Sequence, residues 1–127
     1  MPSHAVIWID HKEARVFHVH PDTVEASTVH AREHHNHNRP KGSEGGNEPT
    51  EEAQRFFHEV ARSLDDSEAV LIVGPSTAKL EFFRYVHKHD HRLEQRVVGI
   101  ETVDHPSDGQ IVAYAKTYFK HSDRMQP

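Results

Sequence analysis

Residues 69–82 read Ala69-Val70-Leu71-Ile72-Val73-Gly74-Pro75-Ser76-Thr77-Ala78-Lys79-Leu80-Glu81-Phe82. An unbroken apolar run rich in β-branched side chains comes first. A strand without a polar face needs cover on both sides, the condition found at the centre of a parallel sheet. Gly74-Pro75-Ser76 then ends the run with turn residues. The pattern at once becomes helical, with Leu80, Phe83 and Val86 along one face and Phe82 and Tyr85 flanking it. That helix is expected to end near His87–His91. Gln95–Val103, centred on Val97-Val98-Gly99-Ile100, reads as another buried strand, so the stretch is a strand–helix–strand unit of an α/β fold.

Upstream, Ala5-Val6-Ile7-Trp8-Ile9 repeats the wholly apolar pattern. Asp10-His11-Lys12 reads as a turn, Glu13–His20 partly alternates, and Pro21-Asp22 turns again. Thr23–Ala31 is a more polar strand suited to a sheet edge. Arg32–Asn47 holds nothing that can build a core, so 32–48 is expected to be a flexible His/Gly-rich loop, longer than most connections. A helix follows. Pro49 suits its first turn, Glu48, Glu51 and Glu52 complement its dipole, and Ala53, Phe56, Phe57, Val60, Ala61 and Leu64 fall on one face. Near the end, Ser107-x-x-Gln110 has the form of a capping box. It opens a helix with Ile111, Val112, Ala115, Tyr118 and Phe119 on one side. The order is β-β-β-α-β-α-β-α in a single domain over 1–122, with 123–127 as a polar tail.

Composition narrows the function. The chain has 127 residues, enough for one domain, and no cysteine, which excludes disulfides, zinc–thiolate sites and thiol catalysis. Its apolar runs are far short of the ~20 residues that cross a bilayer, so no membrane partner is expected and the cytoplasm is the default compartment. A formal charge of −5 argues against a general nucleic-acid coat. Fourteen histidines, a residue type that titrates near ~6.5, would reverse that sign in mild acid.

The order of elements resembles the ribonuclease H-like fold, which implies a five-stranded mixed sheet in the order 3-2-1-4-5, strand two antiparallel, with helices on both faces. More narrowly, Gly74-Pro75-Ser76-Thr77-Ala78-Lys79-Leu80-Glu81-Phe82 is similar to the strand–Gly-Pro-Gly–helix junction of the middle domain of eukaryotic and archaeal class-1 release factors and of pelota. The long loop between strand three and helix one is similar in position too. In the release factors it carries a Gly-Gly-Gln that enters the peptidyl-transferase centre; here it reads Gly45-Gly46-Asn47. The chain most resembles the small stand-alone bacterial proteins called translational machinery proteins.

Two departures speak against release. Asn47 is one methylene shorter than Gln, and water-positioning groups tolerate little displacement. The helix also begins with carboxylates, which rRNA phosphates repel. The resemblance therefore implies a non-enzymatic accessory protein that binds the translation apparatus (ribosome, RNA or a translation factor). Arg39, Lys41, Gly45, Gly46 and Asn47 of the loop are candidate contacts. A basic strip of Lys79, Arg84, Lys88, Arg92 and Arg96 supplies others. One alternative is a ribosome-linked ester hydrolase acting through Gly45-Gly46-Asn47. Another is a His-rich module that responds to metal or pH.

The remaining sites are weaker. Asp10 stands where nucleases of this fold carry the first of several metal-binding carboxylates, but two ions ~4 Å apart need more acids than the sequence places near it. It reads instead as a turn residue. His34, His35 and His37 suit weak binding of a divalent transition metal, without the spacing of a structural zinc site. No resident cofactor is expected. His87, His89 and His91 fall where a helix C-terminus favours positive charge. Ser76 is expected to cap the helix that follows Gly74-Pro75.

Overall fold

The computed structural model describes residues 4–31 and 50–125, with side chains through residue 120. Its hub is β1 (His4–Ile9), which pairs antiparallel with β2 (Glu13–Val19) and parallel with β4 (Ala69–Gly74). Beyond β2 lies β3 (Val24–His30), antiparallel to it; beyond β4 lies β5 (Val97–Thr102), parallel to it. The sheet order is β3-β2-β1-β4-β5, as the ribonuclease H-like resemblance implies. The helices are α1 (Glu51–Ser63), α2 (Ala78–His89), a short α3 (His91–Glu94) and α4 (Asp108–Met125).

Strand alternation divides the core in two. Ala5, Ile7 and Ile9 of β1, with Val70 and Ile72 of β4, pack under α1 and α2. Val6, Trp8, Leu71 and Val73 point the other way, under Ile111, Ala115 and Phe119 of α4. Every one of these strand residues is at most 1% exposed, which explains why Ala5–Ile9 and Ala69–Gly74 contain no polar residue. Each large side chain buried in this way contributes on the order of 1.5–3 kcal/mol.

Phe56, Phe57, Val60 and Ala61 of α1 are buried as the spacing requires, and Leu64 closes the helix. Thr50 caps its start, its side chain accepting from Ala53 N at 3.1 Å. The capping box forms in both directions: Gln110 N donates to Ser107 Oγ at 3.2 Å, and Ser107 N to Gln110 Oε1 at 2.9 Å.

Three expectations need correction. The core face of α2 is Ala78, Phe82 and Val86, and Leu80 is half exposed. Apolar residues at 80, 82, 83, 85 and 86 make two overlapping arcs, and Phe82 wins by packing on Phe57, with ring centroids 5.7 Å apart. Thr77, not Ser76, is the N-cap of α2, and neither supplies a strong side-chain cap; Ser76 Oγ is 3.5 Å from Ala78 N. The backbone breaks at Asp90, whose carboxylate accepts from Leu93 N at 3.1 Å and starts α3. Finally, β5 is an edge strand with half-buried side chains, not a fully covered one. The last helix continues through Met125, into the segment read as a tail.

Candidate functional site

The three parallel strands end on one side of the domain, and the connections that carry sequence motifs collect there. Ala31 N donates to Lys12 O at 2.9 Å, so the chain leaves β3 beside the β1–β2 turn. It re-enters at Thr50, from which α1 runs back toward the start of β4. The attachment points of the 32–48 segment thus lie at the C-terminal end of the sheet, where α/β folds place ligands. Arg39, Lys41, Gly45, Gly46 and Asn47, and the histidines His34, His35 and His37, lie outside the described residues.

At the same end, Asp10 closes the β1–β2 turn. Its Oδ1 accepts from Lys12 N at 2.8 Å and from Glu13 N at 2.9 Å. The carboxylate is thereby committed to its own turn. His11 and Thr77 both reach the Glu81 carboxylate, at 3.3 and 3.2 Å, tying that turn to the first turn of α2. Between them, Gly74 brings β4 so close to β1 that a Cβ on it would stand 2.3 Å from Ile9 O. The glycine at this junction is a packing requirement.

The basic strip does not form one surface. Lys79 is buried, only 7% exposed, and its Nζ donates to Ser76 O at 2.7 Å. It belongs to the β4–α2 junction and cannot meet a phosphate. Arg84 and Lys88 are exposed one turn apart on α2, in line with exposed Leu80, and Arg92 is exposed on α3. Arg96 is half-buried, with Nε lacking a hydrogen-bond partner, and its carbonyl accepts from Val70 N. That contact fixes it at the start of β4. The lower part of the strip is therefore one strand length, about 20 Å, from the attachment points of 32–48.

Beside the strip, Glu94 gathers two histidines. His87 Nδ1 is 2.7 Å from Oε2 and His91 Nδ1 3.3 Å from Oε1. The hydrogen bond with His87, aided by His91, holds the Glu94 carboxyl below its ordinary range. His89 instead packs at a tilt against Tyr85, centroids 4.6 Å apart. Among the described residues, no group of three or more His, Asp or Glu is placed to hold one metal ion.

The sequence reading missed a cleft of about 440 Å³ on the α4 face, again at the C-terminal end. Val73, Val103 and Ile111 line it, with His105, Pro106 and Tyr114. Trp8 anchors the β5–α4 connection beneath it by donating from Nε1 to Asp104 O at 2.8 Å. Only the sheet order brings Val73 and Tyr114 together; no motif announces it.

No protein-family model matches the chain. No curated protein matches it either. Solved structures do. Pelota of Archaeoglobus fulgidus aligns over 91% of this chain and 31% of its own, with a TM-score of 0.64 and 17% identity. The chain has the fold of a pelota/aRF1-like domain. Pelota of Thermoplasma acidophilum aligns over 91% of this chain and 32% of its own, with a TM-score of 0.61 and 24% identity. The archaeal translation termination factor aRF1 aligns over 98% and 39%, at 0.60 and 16%. The pelota/aRF1-like domain thus spans about a third of the length of these proteins. Among the described residues, no helix is long and apolar enough to cross a membrane.

Proposed function

We propose that this domain is a non-enzymatic accessory protein of the translation apparatus, binding the ribosome through the 32–48 segment at the C-terminal end of the sheet. The observation that carries the reading is the fold. A pelota/aRF1-like topology covers more than nine-tenths of the chain. The long connection bearing Gly45-Gly46-Asn47 leaves and re-enters at the end of the domain where the release factors resemble it. Arg39 and Lys41 supply the phosphate contacts in this segment, and Arg84, Lys88 and Arg92 supply a second, separate basic surface. A ribosomal role accords with a cytoplasmic protein, and places the chain with the small stand-alone bacterial translational machinery proteins. Binding is preferred to hydrolysis because Asn47 is too short to stand in for Gln, and because the carboxylates of Glu51 and Glu52 begin the helix that follows.

Co-sedimentation with ribosomes at low salt is the test. Phosphate-dominated binding loses affinity steeply as salt rises. The wild-type chain is expected to pellet with ribosomes. Replacing Arg39 and Lys41 by Gln should weaken pelleting, and replacing Arg84, Lys88 and Arg92 should weaken it independently, since surfaces this far apart act additively. Peptidyl-tRNA turnover by the wild-type chain would favour the hydrolase reading. Absence of pelleting, with zinc or nickel bound by the His34–His37 segment, would favour the metal-responsive module.

A further inference from the structure

One carboxylate, Asp104, lines the cleft on the α4 face, and Glu101 acts on its Tyr114. Asp104 stands at its rim with its side chain almost wholly exposed, paired with His105 at 3.1 Å. Glu101 is close enough to Tyr114 to act on its phenol: burial raises the Tyr114 hydroxyl above its ordinary range, and Glu101's charge adds to the rise. Asp108 pairs with Arg15 at 3.1 Å, and Arg15 is also held by Glu13. Among the described residues, neither Asp104 nor Glu101 has a lysine or arginine partner, and Glu101 also engages the Tyr118 hydroxyl. The apolar floor is formed by Val73, Val103 and Ile111, and Tyr114 is exposed beside it. Phosphate is a poor occupant of such a site, since no Lys or Arg lines it and carboxylates would repel it.

A long cationic side chain meets all of these conditions. Its methylenes need an apolar floor, its head needs an aromatic face and a carboxylate, and the lining includes each. The chain already uses this arrangement nearby: the Arg15 guanidinium lies 4.8 Å from the centre of the Trp8 ring while Glu13 and Asp108 hold its ends. A volume of about 440 Å³ is that of a small-ligand pocket, large enough for one such side chain and its flanking backbone.

We infer that this cleft is a docking site for an arginine side chain of a protein partner, with the aliphatic stem on Val73 and Ile111 and the guanidinium between Tyr114 and Asp104. The occupant is a basic segment of polypeptide, not RNA. This site is on the α4 face, across the sheet from Arg84, Lys88 and Arg92 of α2 and α3, and the inference does not rest on the ribosome-binding reading.

The test is an NMR amide titration of the full chain at low salt, using acetyl-Ala-Arg-Ala-amide and the same peptide with Gln. Saturable shifts confined to Val73 and residues 103–114 are expected with the arginine peptide, at an affinity at least about fivefold above that of the glutamine peptide. Asp104→Asn should weaken the arginine peptide about threefold and leave the glutamine peptide unchanged. That side chain is exposed, and the Trp8 bond uses the backbone oxygen, so folding is spared. Tyr114→Ser should weaken binding further, while Tyr114→Phe retains it. Equal affinity for the two peptides, or no saturable shift, overturns the inference. So does an oligouridylate that shifts the same amides, or concentration-dependent shifts there without peptide, which would make a second copy of the chain the occupant.

Discussion

Replacing Gly74 by alanine tests the central packing of the sheet. In a strand, Gly→Ala normally stabilises by roughly 0.5–1 kcal/mol, because glycine loses more conformational freedom on folding. Here the new methyl group would lie 2.3 Å from the carbonyl oxygen of Ile9. That oxygen is backbone, in the strand at the centre of the sheet, and cannot turn aside. Overpacking of this kind costs roughly 1–3 kcal/mol or more, so the clash outweighs the entropy gain and the net loss should be about 1–2 kcal/mol. For a chain of this size that corresponds to a fall of roughly 3–10 °C in Tm. Gly99→Ala is the internal control. Its methyl would also collide, 2.0 Å from an oxygen, but that oxygen is the Tyr118 hydroxyl, the far end of a half-buried side chain. Tyr118 can swing out, forfeiting its 3.3 Å bond to Val98 O. Loss of one such bond, about 1 kcal/mol, nearly cancels the entropy gain. In a Tyr118→Ser background the obstacle is gone, and Gly99→Ala should stabilise. Urea unfolding can be followed through Trp8, the single tryptophan and only 1% exposed. A Gly74→Ala midpoint at or above wild type would refute the reasoning, as would a larger loss from Gly99→Ala than from Gly74→Ala.

Lys79→Met should leave stability within about 1 kcal/mol of wild type, because the methionine keeps the buried stem and removes a charge whose hydrogen bond is to Ser76 O; ribosome pelleting should be unchanged, whereas a loss equal to that of Arg84→Gln would return Lys79 to the binding surface. Glu94→Gln should flatten the acid limb of the stability curve. The Glu94 carboxyl is held below its ordinary value in the folded chain, so its contribution is fully present above that value and is lost as pH falls through the lowered one; Tm measured from about pH 6 to about pH 3 should fall less steeply for the variant than for wild type. Replacing 32–48 by a short Gly/Ser linker should shift Tm by only a few degrees, because the segment has no apolar anchor and β3 and α1 hold their own contacts; insoluble protein would show that the segment packs.

The fold was legible because its decisive residues are local and extreme. A strand such as Val70–Val73 or Ala5–Ile9, without a polar face, has one stable place in a small α/β domain. The turns and caps that separate such strands obey residue preferences at fixed offsets. Edges were harder. Val97-Val98-Gly99-Ile100 is as apolar as a central strand, yet β5 has one neighbour, and α4 covers it partly through Tyr118 seated over Gly99. Nothing in the run itself records how many neighbours it has. The face of α2 was ambiguous for a similar reason: two apolar arcs overlap, and the choice between them rests with Phe57, twenty-five residues upstream of Phe82.

The candidate surfaces follow the same division between local and assembled information. Charge and residue type make Lys79 look like the first member of a basic strip, but its position in the first turn after Gly74-Pro75 folds the stem inward and leaves Nζ on Ser76 O. The strip was read along the chain, whereas a helix distributes successive residues around an axis, and α2 carries its chain from one end of the sheet to the other. Contiguity in sequence therefore became separation in space. The converse holds for the cleft. Val73, Asp104 and Tyr114 belong to a strand, a connection and a helix, and no spacing rule joins them. Parallel pairing of β4 with β5 puts the end of one strand beside the connection leaving the other, and α4 then lays Tyr114 across the gap. Motifs locate chemistry that one element can hold by itself; a site shared among three elements becomes visible only when the sheet order is known.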